Sequence, residues 1–124
     1  GFYCVVRRFS SKEERRRIVA NVIRPQDFPA GTEFLGLENH VNVFNDRRRG
    51  LPELMAFGLA VYMNTTAVDE AFRRFSGHTQ VNAGDLRTMR YPSRGVLMKL
   101  GAWGKANPAA TQEAIDRTFE ALAA

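Results

Sequence analysis

The segment from Phe75 to Pro92 contains residue types that form hydrogen bonds with planar partners. Its side chains include one imidazole, two amides and two guanidinium groups, at His78, Gln80, Asn82, Arg87 and Arg90. Asn and Gln can pair with adenine through two hydrogen bonds, Arg can do so with guanine, and Arg, Thr and Ser can hold phosphates. The pattern favours a nucleic-acid contact. The alternative is a polar loop whose amides satisfy the loop's own backbone groups.

Arginines are clustered next to this segment and near the N-terminus. Arg73 and Arg74 close the helix predicted before the polar segment, and a predicted hairpin would bring together Arg7, Arg8, Arg15, Arg16 and Arg17. Like charges on neighbouring strands repel unless an anion compensates them, and a phosphate backbone is such an anion. Glu13 and Glu14 offer the alternative, since they can neutralise part of the cluster.

The composition indicates a globular domain with an anionic partner. The chain has 124 residues, of which 44% are hydrophobic and 25% charged, and its formal net charge is +5. Its 15 Arg outnumber its 3 Lys, and the planar donor fork of arginine suits phosphate and guanine. The alternative is that the arginine excess reflects a GC-rich genome.

The single cysteine and the absence of long apolar runs bear on the cellular compartment. Cys4 has no second cysteine to pair with, so we expect a reducing, cytoplasmic compartment. No apolar run approaches the ~18 residues of a membrane span, so no membrane partner is expected. The chain begins within a predicted strand, and we expect it to be a piece of a longer protein.

Strands are predicted in the first third of the chain. The β-rich runs 2–9 and 15–23 flank the polar residues 10–14 and predict a hairpin, although Ser11 and Glu14 also fit a helix-capping box. A further strand is predicted around 34–44, where residues alternate. The mostly apolar set is expected to face the core: Leu35, Leu37, Asn39, Val41 and Val43.

Helices are predicted for most of the remainder. One begins at Pro52 and runs to about 63, and a second covers 66–75. Ser93 begins another, which Gly101 or Gly104 should stop, and Asn107-Pro108 begins the last. We therefore predict an α+β fold, with a small, mainly antiparallel sheet packed against about four helices. Residues 1–95 would form the main region and 96–124 a helical extension of the same domain.

Motifs of self-contained enzymes are missing from the sequence. There is no Gly-x-Gly dinucleotide loop, no P-loop, no Gly-x-Ser-x-Gly and no His-Glu-x-x-His. His78 as a general base and His40 as a metal ligand both lack a second His, a Cys or a suitably spaced carboxylate. The residues therefore predict binding rather than catalysis, without a metal or cofactor in this chain.

Several blocks of the chain form a familiar series. In order they are Arg7–Glu14, Glu38–Asn42, Arg49–Leu51, Met63–Asp69, Phe75–Arg87 and Tyr91–Ser93. Together they resemble the C-terminal, target-recognition region of adenine-specific DNA methyltransferases from restriction-modification systems. The resemblance covers roughly residues 3–95, and its strongest block is the polar segment at 75–87.

The resemblance implies a division of labour. Enzymes of this family transfer a methyl group from S-adenosylmethionine to the exocyclic amine of an adenine flipped out of the duplex. Their catalytic Asn-Pro-Pro-Tyr-type motif and their cofactor-binding motif lie upstream, and neither occurs here. This chain would then recognise double-stranded DNA on behalf of an upstream catalytic domain, which would bind S-adenosylmethionine.

Site residues follow as expectations. Phosphate contacts are expected from Arg7, Arg8, Arg15, Arg16, Arg17, Arg73 and Arg74. Base-edge contacts or loop architecture are expected from His78, Thr79, Gln80, Asn82 and Arg87. From the residues alone two other functions stay open: a protein-interaction domain whose arginines meet an acidic partner, and an RNA-binding module.

Overall fold

The computed structural model describes residues 2–7, 18–25, 41–45, 49–75 and 83–123. Its strands are β1 (Tyr3–Arg7), β2 (Ala20–Ile23) and β3 (Val41–Phe44). Its helices are α1 (Glu53–Met63), α2 (Thr66–Phe75), α3 (Ala83–Thr88), α4 (Arg94–Ala106) and α5 (Gln112–Ala123). The predicted α+β fold is confirmed, with five helices in these ranges. Within them, no helix has the length and apolar character needed to cross a membrane.

The strands form one antiparallel sheet in the order β2-β1-β3. β1 pairs with β2 from Tyr3 opposite Ile23 to Val6 opposite Ala20, which confirms the predicted pairing of the first two β-rich runs. β3 pairs with the other side of β1. The described sheet therefore has β1 at its centre and β2 and β3 at its two edges.

The face of β3 that packs on the core is opposite to the predicted one. Cys4 of β1 is fully buried, and its cross-strand partner on β3 is Phe44. Side chains directly opposite each other share a face, so Phe44 packs on the core, with its ring 5.9 Å from that of Tyr91 in an edge-on arrangement. Val43, which was expected to face the core, lies opposite Val5 on the other face. The prediction failed because the register with β1 decides which alternate residues of β3 face the core, and this register places Phe44 opposite the buried Cys4.

Helix α1 is apolar around most of its circumference and is correspondingly enclosed. All its residues from Gly58 to Met63 are buried, and α1 contacts β1, β2 and α4. A helix of this kind is stable only when several sides are covered. Pro52 directly precedes the helix, with φ −54° and ψ 144°, so its ring costs no hydrogen bond within α1.

Helix α4 continues through both glycines that were predicted to stop it, so that prediction is wrong. A Cβ on Gly101 would lie 1.8 Å from the carbonyl oxygen of Leu54 in α1. A Cβ on Gly58 of α1 would lie 1.9 Å from the carbonyl oxygen of Leu97 in α4. Non-bonded atoms do not approach this closely. The two helix backbones can therefore touch here only because both positions are glycine and lack a Cβ.

The two ends of α4 are fixed by side-chain caps. Ser93 begins the helix as predicted, since its hydroxyl accepts a hydrogen bond from the Val96 N–H at 3.3 Å. Asn107 was predicted to begin the last helix, but it ends α4 instead. Its side-chain amide donates to the carbonyl of Trp103 at 2.8 Å.

Helix α5 begins later than predicted, at Gln112 rather than at Asn107-Pro108. The hydroxyl of Thr111 accepts a hydrogen bond from the Ala114 N–H at 3.1 Å and so caps the first turn. No residue of α5 is fully buried. The helix packs on the core through partly buried side chains, namely Ile115, Phe119 and Leu122.

Candidate nucleic-acid interface

Four of the predicted DNA-contacting residues lie in the described ranges. Arg7 ends β1, Arg73 and Arg74 lie in the last turn of α2, and Arg87 lies in the last turn of α3. The others lie outside the described residues: Arg8, Arg15, Arg16, Arg17, His78, Thr79, Gln80 and Asn82. The polar segment 76–82 connects α2 to α3, so it is attached at both ends to helices that carry arginines.

Arg87 borders an open cavity of about 390 Å³ between β3 and α3. Two amides, Asn42 and Asn45, line it from the strand side, and Asn45 donates one hydrogen bond to the carbonyl of Val43 at 3.3 Å. The rest of the wall is largely apolar and includes Phe44, Leu86 and Tyr91. Amides and a guanidinium group around an apolar floor can accept a flat polar group such as the edge of a base.

The two asparagines were not among the predicted contacts. Asn42 lies in the block Glu38–Asn42. The sequence prediction placed Asn42 on the face of β3 that points away from the core, and so away from the helices. Phe44, whose face Asn42 shares, is a large apolar residue that hints at the correct facing, but the register with β1 that decides it is not encoded locally. Further exposed guanidinium groups follow α3, at Arg90 and Arg94.

The two arginines at the end of α2 have different surroundings. Arg73 Nε donates to Asp69 Oδ2 at 3.0 Å, and Asp69, which is 6% exposed, also accepts the Ile18 N–H at 2.9 Å. Arg73 therefore compensates a buried carboxylate, which would be costly to leave unpaired. Arg74 is exposed, with its Nε 3.5 Å from the carbonyl oxygen of Glu70. Arg74 is the better placed of the two to meet an anionic ligand.

The recognised block 63–69 contains a side chain, that of Asn64, which completes the edge of strand β2. Asn64 Oδ1 accepts the Ala20 N–H, and Asn64 Nδ2 donates to the Ala20 carbonyl, both at 2.9 Å. The amide thus takes the place of a neighbouring strand beside β2. Gln112 of α5 donates to the Asn64 carbonyl at 2.7 Å and ties a third element to this point.

The two threonines of the same block join helices. The Thr65 hydroxyl donates to the Tyr62 carbonyl at 2.8 Å and accepts the Val68 N–H at 3.3 Å, so it links the end of α1 to the first turn of α2. The N–H and the hydroxyl of Thr66 donate to the two carboxylate oxygens of Asp116 at 2.8 and 2.7 Å. The polar groups of this block serve the fold rather than a ligand.

The region between α3 and α4 is held by two tyrosines, the buried Tyr62 and the half-buried Tyr91. Tyr62 donates to the Arg90 carbonyl at 2.8 Å, and Tyr91 donates to the Leu86 carbonyl at 2.7 Å. Burial raises the pKa of both hydroxyls, that of Tyr91 to about 12, where Tyr62 and Cys4 add to the effect. Both tyrosines therefore stay neutral donors at physiological pH.

The described ranges hold no obvious centre for catalysis. Burial raises the pKa of the Cys4 thiol, so it is not a nucleophile at neutral pH. No group of three or more His, Cys, Asp or Glu residues in these ranges could hold a metal ion. The site is thus a basic, amide-bearing surface suited to binding.

The sequence of this chain is similar to part of a known class of protein, the type II methyltransferases. The chain is 52% identical over 103 residues to the type II methyltransferase M.BsuBI of Bacillus subtilis, which is 83% of this chain and 20% of that protein. It is 45% identical over 94 residues to the type II methyltransferase M.PstI of Providencia stuartii, which is 76% of this chain and 18% of that protein. The chain therefore spans about a fifth of the length of the curated relatives it matches. No family model and no solved structure matches it.

Proposed function

We propose that this chain is the DNA-recognition segment of a type II DNA methyltransferase of a restriction-modification system, acting on the N6 amine of adenine in the cytoplasm. The 52% identity to M.BsuBI over 103 residues carries the proposal. The chain supplies sequence-specific binding to double-stranded DNA. An upstream catalytic domain of the polypeptide binds S-adenosylmethionine and transfers the methyl group.

The described surface supports this role. The chain carries a net charge of +5, and Arg74, Arg87, Arg90 and Arg94 are all exposed, as phosphate contacts require. The cavity beside Arg87 offers amides and a guanidinium group for a base edge. The polar residues Gln80 and Asn82 lie between α2 and α3 in the sequence, and base contacts from them are part of the proposal.

Base contact by Arg87 can be tested in the full-length enzyme. If Arg87 pairs with a guanine, Arg87→Ala should cost about 1–3 kcal/mol in discrimination at that base pair and slow methylation of the cognate site. Arg117→Ala is the matched control, because Arg117 is also exposed but lies on α5 and does not line the cavity. If Arg87→Ala and Gln80→Ala both leave the site preference and the methylation rate unchanged, the base contacts are wrong.

Phosphate contact by Arg74 can be recognised from the salt dependence of DNA binding. Each phosphate neutralised on duplex DNA adds about 0.9 to the slope of log affinity against log salt concentration. Arg74→Ala should therefore reduce that slope by about 1 and weaken binding to cognate and unrelated duplexes equally. An RNA duplex that competes as well as the DNA duplex would favour the RNA-binding alternative instead.

A further inference from the structure

The outer edge of β2 has two residues whose backbone groups point away from β1. Ala20 is paired there, and Val22 has no partner within the described part of the chain. The Arg7 N–H donates to the Val19 carbonyl at 3.1 Å, which fixes the alternation of the antiparallel ladder. Residues 19, 21 and 23 therefore bond to β1, while Ala20 and Val22 direct their N–H and C=O groups away from it. Asn64 pairs with Ala20. Nothing in the described part of the chain bonds to the outward groups of Val22.

This open position faces a crevice of about 360 Å³. Its wall combines the strand edge with side chains from α1, α4 and α5, including Val22, Arg24, Phe57, Val61, Trp103 and Ile115. The lining also includes polar side chains, at Asn21, Asn64 and Asn107. An unpaired strand edge beside such a partly apolar groove is an arrangement that can accept an extended peptide as an added strand, because the backbone gives affinity and the groove takes alternate side chains.

The sequence of β2 is compatible with an added strand at Val22. Exposed edge strands are usually kept very short or protected by charged residues, proline or a bulge. β2 is short, with four residues, and Arg24 and Pro25 follow it, but Ala20-Asn21-Val22-Ile23 contains no charge and no proline and its pairing with β1 is continuous. Within the strand itself, nothing hinders pairing at Val22.

We propose that an extended strand of the methyltransferase polypeptide outside this chain pairs with β2 at Val22 and places apolar side chains in the crevice. This inference rests on the proposed function, in that the chain is one segment of a methyltransferase. A full-length protein of the relatives' size has many residues outside this segment that could supply the strand, because the matching segment is only 20% of M.BsuBI and 18% of M.PstI. A second copy is disfavoured, since two chains of net charge +5 repel each other.

The position of β2 separates this interface from the DNA-binding surface. In the order β2-β1-β3, the Arg87 cavity borders β3 and the Val22 crevice borders β2. The two are at opposite edges of the described sheet. Strand addition at Val22 therefore leaves the cavity accessible to DNA.

Amide hydrogen exchange tests the pairing, with the 124-residue chain compared to the full-length methyltransferase that contains it. Ala20 is the internal control, because Asn64 already bonds its N–H and should protect it in both. The Val22 N–H should exchange fast in the chain alone and at least tenfold more slowly in the full-length protein. Fast exchange in both overturns the proposal. Protection that rises with the concentration of the chain alone also overturns it, in favour of a second copy.

A matched pair of variants adds a second measurement. Val22→Pro removes an outward N–H that β1 does not use, which an edge strand tolerates, whereas Val22→Thr keeps the N–H. In the full-length protein, Val22→Pro should accelerate exchange at least tenfold in a stretch outside this chain, and Val22→Thr should not. If Val22→Pro accelerates exchange in no stretch outside this chain, the proposal is overturned. If Val22→Pro unfolds the chain, the exchange of the Val22 N–H in the wild-type protein decides instead.

Methylation of DNA by the same wild-type preparation separates the two proposals. An active enzyme with an unprotected Val22 overturns the strand addition alone. A folded full-length protein that methylates no DNA overturns the proposed function, whatever the exchange of Val22.

Discussion

Replacing Gly101 by alanine should force α4 away from α1. The new Cβ would lie 1.8 Å from the carbonyl oxygen of Leu54 and 2.7 Å from its carbonyl carbon. Both atoms belong to the backbone, so no change of rotamer relieves the overlap. Ordinary van der Waals contact begins at 3.4 Å, and the helices can reach it only by moving apart along their shared interface.

The size of the effect follows from two opposed contributions. Alanine is favoured over glycine in a helix interior by about 1 kcal/mol. Overpacking costs about 1–3 kcal/mol, and a rigid backbone neighbour places this site at the upper end. The net loss should be about 2 kcal/mol, and larger if Leu97 and Leu100, which are 6% and 0% exposed, lose contacts as α4 shifts.

Urea unfolding followed by circular dichroism measures the difference, with Gly95→Ala as the control in the same helix. A Cβ on Gly95 meets nothing nearer than Ser93 Oγ at 4.0 Å, so this variant should be as stable as the wild type or up to about 1 kcal/mol more stable. Gly101→Ala should lower the midpoint without changing the slope. If Gly101→Ala is as stable as Gly95→Ala, the close approach of the two helices is refuted.

Three further outcomes are expected. Asn64→Ala should cost about 2 kcal/mol of unfolding free energy, because both Ala20 backbone groups lose their partners; an unchanged urea midpoint would contradict this. Asp69→Ala should cost about 3 kcal/mol by the same assay, since it breaks a partly buried ion pair with Arg73 and removes the buried hydrogen bond that the carboxylate accepts from the Ile18 N–H. The pKa of Tyr91 is raised from 10.0 to about 12, so the folded state holds this proton more tightly than the unfolded state does. Stability from Tyr91 is thus complete below pH 10 and is lost as pH rises towards 12, and the melting temperature of Tyr91→Phe should fall less over that range than that of the wild type.

Helix boundaries could be predicted where the signals are local. The sequence predicted one helix from Pro52 to about 63 and a second over 66–75, and the structure has them at Glu53–Met63 and Thr66–Phe75. Caps and breakers act through atoms only a few residues apart, so the sequence contains the whole interaction. The start of α4 after Ser93 was predictable for the same reason.

Features that depend on distant residues could not be predicted. Gly101 and Gly104 read as helix stops because glycine has low helix propensity, but the approach of α1 decides their role. The face of β3 depends on its register with β1, since either set of alternating residues could have packed inward. Asn107 fits a helix start in the sequence, and only the position of the Trp103 carbonyl makes it an end.

The candidate site was partly predictable in the same sense. The chain shows Asp69 four residues before Arg73, but not that Asp69 is buried, which is what commits Arg73 to the fold. Likewise, Arg87 was identified from its residue type. Its cavity needs Asn42 and Asn45, which are far away in the chain and adjacent only in the folded sheet.

Two groups of residues should respond differently to substitution: those whose side chains join elements of the fold, and those that line the open cavity. Asn64, Thr66 and Asp69 make hydrogen bonds that join elements of this fold and do not line the cavity beside Arg87. A change at these positions should lower stability and reduce methylation of all sites alike. A change at Arg87 or Asn42 alters groups that line an open cavity and bear less on the fold. Under the proposed function, a change there, or at a predicted base contact such as Gln80, should alter the ratio of methylation at different sites, because specificity is a difference between affinities and requires contact with the bases.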